Sequence, residues 1–339
     1  MKKVQQGMVA AVAVVAGTVL FFVVMRKPPT ERAVPAGPAA VAAAPAPSPA
    51  ASKPEVITIP LPKPSEEEIK ELRYLPERVQ LSAARENAML NAPEMKSGAR
   101  RVRNVRPLTN KAKDGDFLSP RWSPDGLQML VSRPGFSGVY LVDVNSGRLQ
   151  FIAPGNAFRA RWTPDGNIEV AGEDGQTRVY APDGALLSTR ATDNREGPTY
   201  AENDTVFVRT PDGATKPLTT SDDRYFNPVL SPDGKQIVYQ GLMSGLYMAP
   251  ADGSGAPVYL GTGNNPAWMP DGSGVVFDVT TDDGHNLTGG DIYHVDSAVS
   301  ERTNLTEGDS LIGQMPSVDP SGRQVAFESE GQIFVGEVQ

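Results

Sequence analysis

From Phe117 onward, apolar and polar residues alternate over short runs, and Gly-containing turns separate the runs. A period of two with such punctuation predicts β-strands. One five-residue block recurs. It reads WSPDG at Trp122 to Gly126, WTPDG at Trp162 to Gly166, LSPDG at Leu230 to Gly234, WMPDG at Trp268 to Gly272, and a degenerate VDPSG at Val318 to Gly322. Each block carries tight-turn chemistry: Pro fixes φ, Asp caps the turn and Gly takes positive φ. The block prolines, at 124, 164, 232, 270 and 320, stand 40, 68, 38 and 50 residues apart. The step of 68 leaves room for one more unit near Tyr200 to Asp204 (YAEND). The mean period is then about 40 residues, the length of a four-stranded propeller blade.

Within a unit, one strand enters the block (117–122, 226–230) and a second leaves it (128–132, 236–240, 274–278). A third strand follows (139–144, 246–249, 291–296, 332–337). A second turn (145–147, 182–184, 252–253) leads to a fourth (149–152, 258–260). The middle unit is expected to lack a strand. Residues 205–210 and 215–218 read as its third and fourth strands, leaving only 197–203 for the inner ones. The last strand, 331–339, is a third strand, and 102–108 has the form of its missing fourth. Pairing these two segments would close the ring and remove two exposed sheet edges. The expected fold class is therefore all-β: a six-bladed β-propeller over 102–339, with one degenerate blade, closed by N- and C-terminal strand pairing.

These residues resemble a known family. Pro120-Arg121-Trp122-Ser123-Pro124-Asp125-Gly126, Asp291-Ile292-Tyr293-His294-Val295-Asp296 and Asn304-Leu305-Thr306 are similar to the TolB-type six-bladed propeller repeat. The resemblance covers roughly 102–339 and implies a protein-interaction module of the bacterial cell envelope. The chain departs from TolB in retaining an anchor, and in having a short helical stretch where TolB has a separate N-terminal domain.

The N-terminal third has a different pattern. The apolar run 8–25, MVAAVAVVAGTVLFFVVM, is 18 residues long. At about 1.5 Å per residue it matches the hydrocarbon thickness of a bilayer as a helix. Arg26, Lys27, Pro28 and Pro29 follow it, with no small-residue cleavage site close by, so an uncleaved anchor over 1–27 is expected in preference to a cleaved signal. Basic residues flank both ends, so charge barely sets orientation. A cytoplasmic N-terminus is favoured, which puts the propeller in the periplasm of a single-pass inner-membrane protein. Residues 28–64 form a Pro/Ala-rich linker that cannot bury enough apolar area to fold. Residues 65–101 read as a short helical arm with a basic end. Ser65 and the acids after it start the helix, and Pro76 breaks it.

Composition narrows the chemistry. Gly (33) and Pro (31) exclude a helical bundle, and the lack of Cys excludes thiolate chemistry. The net charge is −8, divided as +7 over residues 1–110 and −15 over 111–339, so nucleic acid is not an expected partner. No Gly-x-Ser-x-Gly elbow, phosphate loop or His-Glu-x-x-His motif is present, so no enzyme activity and no catalytic residue are expected. A hydrolase-associated propeller is disfavoured because no catalytic domain follows residue 339. His285 and His294 read as solvated or structural. Asp125, Asp165, Asp233 and Asp271 read as turn residues, and Trp122, Trp162 and Trp268 as packing between blades.

Loops between the second and third strands of a blade share a face with the loops between blades. The longest of the former, 279–290 (VTTDDGHNLTGG), and the inter-blade loops bring Asp114, Asp116, Asp222, Asp223, Asp282, Asp283, Glu307 and Asp309 to one rim. Two readings stand: an acidic face for a basic segment of a protein partner, or ordinary solvated loops. No cofactor or metal ligand set is expected. Ca²⁺ suits such donors, although no EF-hand spacing is present. The runner-up function is a periplasmic solute- or metal-binding sensor using the propeller channel.

Overall fold

A computed structural model describes the backbone of Ala10–Val15 and Thr18–Val23, Ala88, and residues 91–339 apart from 156–158, 196, 211, 221 and 284. Of the expected anchor (1–27), only the backbone of Ala10–Val15 and Thr18–Val23 is described, as two paired strands. The rest of the anchor, the linker (28–64) and the helical arm up to residue 87 lie outside the described residues. Among the described residues no helix is long and apolar enough to cross a membrane.

Six sheets follow one another along the chain as blades. Blade 1 is Leu118–Trp122, Gln128–Ser132, Val139–Asp143 and Leu149–Ala153. Blade 2 is Ala160–Trp162, Ile168–Ala171, Gln176–Tyr180 and Leu186–Ala191. Blade 3 has only three strands, Thr199–Glu202, Thr205–Arg209 and Thr215–Pro217. The missing unit falls near YAEND as expected, and that segment turns between the first two of these strands, with Asn203 and Asp204 both at positive φ. Blade 4 is Tyr225–Leu230, Gln236–Gly241, Gly245–Pro250 and Val258–Gly261. Blade 5 is Asn264–Trp268, Gly274–Asp282, Leu287–Asp296 and Glu301–Asn304. Blade 6 is Gln314–Val318, Gln324–Ser329, Gln332–Val338 and, from the other end of the domain, Val102–Pro107.

That last pairing is the expected closure. Val102–Pro107 runs antiparallel to Gln332–Val338, with Val338 opposite Val102 and Phe334 opposite Pro107. The arm does more than expected just before it. Lys96–Ser97 adds a fifth, parallel strand to the outer edge of blade 5, against Glu301 and Arg302. The basic end of the arm is therefore partly strand, because the edge of blade 5 offers unpaired backbone groups to it.

The second strands of blades 1, 4, 5 and 6 are buried over most of their length, because neighbouring blades cover both of their faces; that of blade 2 alternates. The run Met129 to Ser132 is fully buried, as are Val275, Val276 and Phe277. This explains why the sequence reads MLVS and VVFD there rather than alternating. Inner strands carry a repeated irregularity. The register shifts between Leu118 and Arg121, Phe226 and Val229, Asn264 and Ala267, and Gln314 and Ser317. Each shift holds a Pro preceded by a non-Gly residue at positive φ: Ser119, Asn227, Asn265 or Met315. Pro cannot donate to a ladder and is tolerated where a bulge interrupts it.

The tryptophans bridge blades as expected. Trp122 Nε1 donates to Ser317 O at 3.1 Å, Trp162 Nε1 to Arg121 O at 3.1 Å and Trp268 Nε1 to Val229 O at 2.9 Å. Each acceptor lies on the inner strand of the preceding blade, three residues before that blade's turn proline. The turn aspartates are likewise structural. Asp125 accepts from Ser123 Oγ at 2.6 Å and from Leu127 N, and Asp233 repeats this with Ser231 and Lys235. The serine hydroxyl first, then the backbone amide, holds each of these carboxyls below the usual range.

Candidate functional site

The connections fix which residues share a face. Loops leading from an outer strand to the next inner strand carry Asp114, Asp116, Asp222, Asp223, Glu307 and Asp309. The second-to-third-strand turn of blade 5 carries Asp282 and Asp283. By strand direction, all eight lie at one end of the blades.

Their local roles differ. Asn110 caps a single helical turn, Lys111–Asp114, and Asp114 accepts from Asn110 N at 3.1 Å. Asp116 pairs with Lys111 at 3.3 Å, and Lys111 also reaches Glu330 O, which joins this loop to the turn of blade 6. Asp222 accepts from Thr220 Oγ1 and Tyr225 Oη. Asp223 is buried and organises its corner, accepting from Ser244 Oγ at 2.7 Å and from Met243 N. Asp283 accepts from His285 N and Asn286 N, closing a hairpin turn. Those two amides hold its carboxyl below the usual range. Glu307 pairs with Arg101 of the basic arm at 2.7 Å. Asp282, Asp283, Glu307 and Asp309 are exposed.

The segment 279–290, expected as a loop, is mostly strand. Its ladder continues from Asp278 opposite Ile292 to Asp282 opposite Leu287, and only 283–286 turn. The β-branched Val279, Thr280 and Thr281 extend the pattern of the second strand and explain the difference. Blade 5 thus projects a hairpin of nine- and ten-residue strands, against five or six in the corresponding strands of blades 1 and 4. Leu287 is exposed near its tip.

Beneath this face lies a set of groups the sequence reading missed. Eight residues after four of the five block prolines, on the second strand, stand Ser132, Gln240, Asp278 and Glu328; the fifth, Pro164, has Gly172 at that step. All four are buried. Gln240 Nε2 donates to Asn264 Oδ1 at 2.5 Å. Asp278 accepts from Asn265 Nδ2 and Met315 N, both at 2.9 Å. Glu328 accepts from Gln314 Nε2 at 3.1 Å and from Gly331 N. Gln240 Oε1 and Ser132 Oγ have no hydrogen-bond partner in the structure. Burial pushes Asp278 up to about 6 against the pull of its donors. Burial likewise pushes Glu328 up to about 7, and the Asp278 charge adds to it. The sequence signal was the repeat phase itself, a polar residue at a fixed step from four of the five turn prolines.

His294 is buried on the third strand of blade 5 with Arg100 Nη1 3.3 Å from its Nε2. Burial first, then the Arg100 charge, lowers it to about 4, so it is neutral at physiological pH. His285 is exposed in the hairpin turn. Among the described residues no group of three or more His, Asp or Glu side chains gathers at metal-binding range.

No family model and no curated protein matches the chain. Solved structures do. A gluconolactonase from Xanthomonas campestris aligns at 12% identity over 73% of this chain and 97% of its own, with a TM-score of 0.49. An oligogalacturonate lyase in complex with manganese aligns at 14% identity over 72% and 99%, with a TM-score of 0.41. A TolB candidate from Agrobacterium tumefaciens aligns at 20% identity over 68% and 78%, with a TM-score of 0.31. The expectation that the chain has no enzyme activity is corrected here, since enzymes stand among the similar propellers. Missing local motifs did not bear that weight, because a propeller assembles polar groups from separate blades, as the rung of Asp278 and Glu328 illustrates.

Proposed function

We propose that the chain is a membrane-anchored, TolB-like propeller of the bacterial cell envelope whose acidic face receives a basic segment of a protein partner. The carrying observation is the projecting blade 5 hairpin, which presents exposed Asp282, Asp283 and Leu287 above the rest of the face. A carboxylate beside an exposed apolar side chain suits a segment that alternates basic and apolar residues. Exposed Glu307 and Asp309 extend the charge along the same end of the molecule. The anchor over 1–27 and the linker supply attachment and reach.

Cross-linking and affinity capture of the full chain from membranes tests the interaction. The triple variant Asp282→Asn, Glu307→Gln, Asp309→Asn spares the buried Asp223. It is expected to lose most partner recovery, and wild-type recovery is expected to fall as salt rises. Equal recovery from variant and wild type sinks the proposal. Attachment is tested separately: the full chain should resist alkaline extraction from membranes, and a chain beginning at residue 28 should not.

A further inference from the structure

Six blades make six interfaces, and apolar clusters fill five of them. One cluster joins blades 6 and 1 through Phe117, Met129 and Ile333, and another joins blades 1 and 2 through Leu130, Leu141 and Ile168. Three more join blades 3 and 4, 4 and 5, and 5 and 6. Among the described residues, none spans blades 2 and 3.

The strand phase of blade 2 explains the gap. Ala160, Trp162, Ile168, Val170 and Tyr180 turn to blade 1. The alternate positions turn toward blade 3, and they carry Arg161, Glu169, Thr177 and Arg190. Glu169 lies opposite Arg161, and Thr177 opposite Arg190, so these side chains share one face. Glu169 accepts from Arg161 Nε at 2.5 Å and from Arg190 Nη2 at 3.0 Å. Its side chain is only 13% exposed. Burial opposes its ionisation, but the bonds from Arg190 and Arg161 outweigh that and hold it below the usual carboxylate range.

A cavity of about 230 Å³ opens beside this triad. Arg159, Arg161 and Arg190 line it, with Glu169, Thr177 and Thr192. Three of the described lining side chains are guanidinium groups, in a domain whose charge is otherwise strongly acidic. Glu169 is largely buried while Arg161 and Arg190 are partly exposed, and such an ion set is a weak source of stability compared with an apolar interface. Five interfaces of this ring use the apolar solution and one does not. The guanidinium fork, by contrast, matches carboxylate and phosphate geometry.

We propose that the cavity on the blade 3 side of blade 2 is a binding site for a small oxyanion, a carboxylate or a phosphate, held by Arg159, Arg161 and Arg190. Thr177 and Thr192 are hydrogen-bonded to each other through their hydroxyls at 3.0 Å, so the pair has one hydroxyl proton to offer the same ligand. Glu169, bonded to Arg161 and Arg190, competes with the ligand for them, and its charge lowers the affinity. This site is independent of the acidic face.

The test titrates the full chain with inorganic phosphate and, separately, with malonate, at constant ionic strength, by calorimetry and thermal shift. Saturable binding of at least one is expected, and the arm that binds more tightly names the ligand chemistry. Arg190→Gln and Arg161→Gln should each weaken binding about tenfold, the worth of one charge-assisted bond. Arg161 is the more exposed of the two, so its variant carries the test where Arg190→Gln fails to fold. Glu169→Gln removes the internal negative charge and should tighten binding several-fold, a direction that a purely structural role does not produce. Three results overturn the site. They are no saturable response to either anion up to about 50 mM, wild-type affinity in both arginine variants, or weakened binding in Glu169→Gln.

Discussion

At the scale of single residues, the buried carboxyls and the buried imidazole pull stability in opposite directions with pH. Asp278 and Glu328 are raised to about 6 and about 7 by burial. Their folded forms therefore hold protons that the unfolded chain releases. Stability from this pair is complete below about pH 4, and it is lost as pH rises through 6 and 7. His294 is lowered to about 4, so its contribution is present above about pH 6.5 and is lost as pH falls. The two trends overlap between about pH 4 and 6.5, and the wild-type profile alone does not separate them. The difference between wild type and a chain carrying Asp278→Asn and Glu328→Gln does, because His294 is common to both. That difference should move against wild type by on the order of 2–3 kcal/mol between pH 4.5 and 7.5, in urea unfolding at a series of pH values. A difference that stays flat across this range would show that the carboxyls ionise normally in the fold.

At the scale of the element, the repeat was legible because each part of a blade carries its own chemistry. Pro-Asp-Gly announces a turn, and the strands after it follow with bounds close to those observed. Hydrogen bonds across blades were not visible, because their acceptors are backbone carbonyls that any residue supplies. Trp268 shows what such a bond contributes. Its indole reaches Val229 O in blade 4, and Phe at this position would fill similar space without a donor. Trp268→Phe should cost about 1–2 kcal/mol, from a part-buried carbonyl left without its partner. Denaturant midpoints of this variant and of Trp122→Phe, which strands Ser317 O in the same way, should agree; a cost near zero in both would reduce the indole bonds to decoration. The hairpin of blade 5 was misread as a loop for a related reason. Its Gly-Asp-rich tip resembles a loop, while the ladder beneath it depends on Val279, Thr280 and Thr281, which alternate too briefly to stand out.

At the scale of the whole molecule, the ring has two special joints. One is the pairing of Val102–Pro107 with Gln332–Val338, where head meets tail. The other is the polar seam between blades 2 and 3. A sequence reading finds the first, because a missing strand is a gap in a repeat. It misses the second, because the alternation within blade 2 is regular and does not say what each face meets. Energetically the joints are unequal. The closing joint has a backbone ladder, and the interfaces on both sides of blade 6 are filled by apolar side chains, with Ile333 and Phe327 fully buried. The seam has an ion triad, a solvent-connected cavity and a three-stranded neighbour. Local opening follows the lowest density of buried apolar contacts, not the position of the chain ends. Amides of Ala160–Trp162, Ile168–Ala171 and Thr199–Glu202 should therefore exchange hydrogen well before those of Gln324–Ser329 or Gln332–Val338. Exchange that begins at Val102–Pro107 and Gln332–Val338 would make the closure the weak joint and the seam a stable one. If the order is as expected, phosphate or malonate bound at the arginines should slow the blade 2 amides and leave those of blade 6 unchanged.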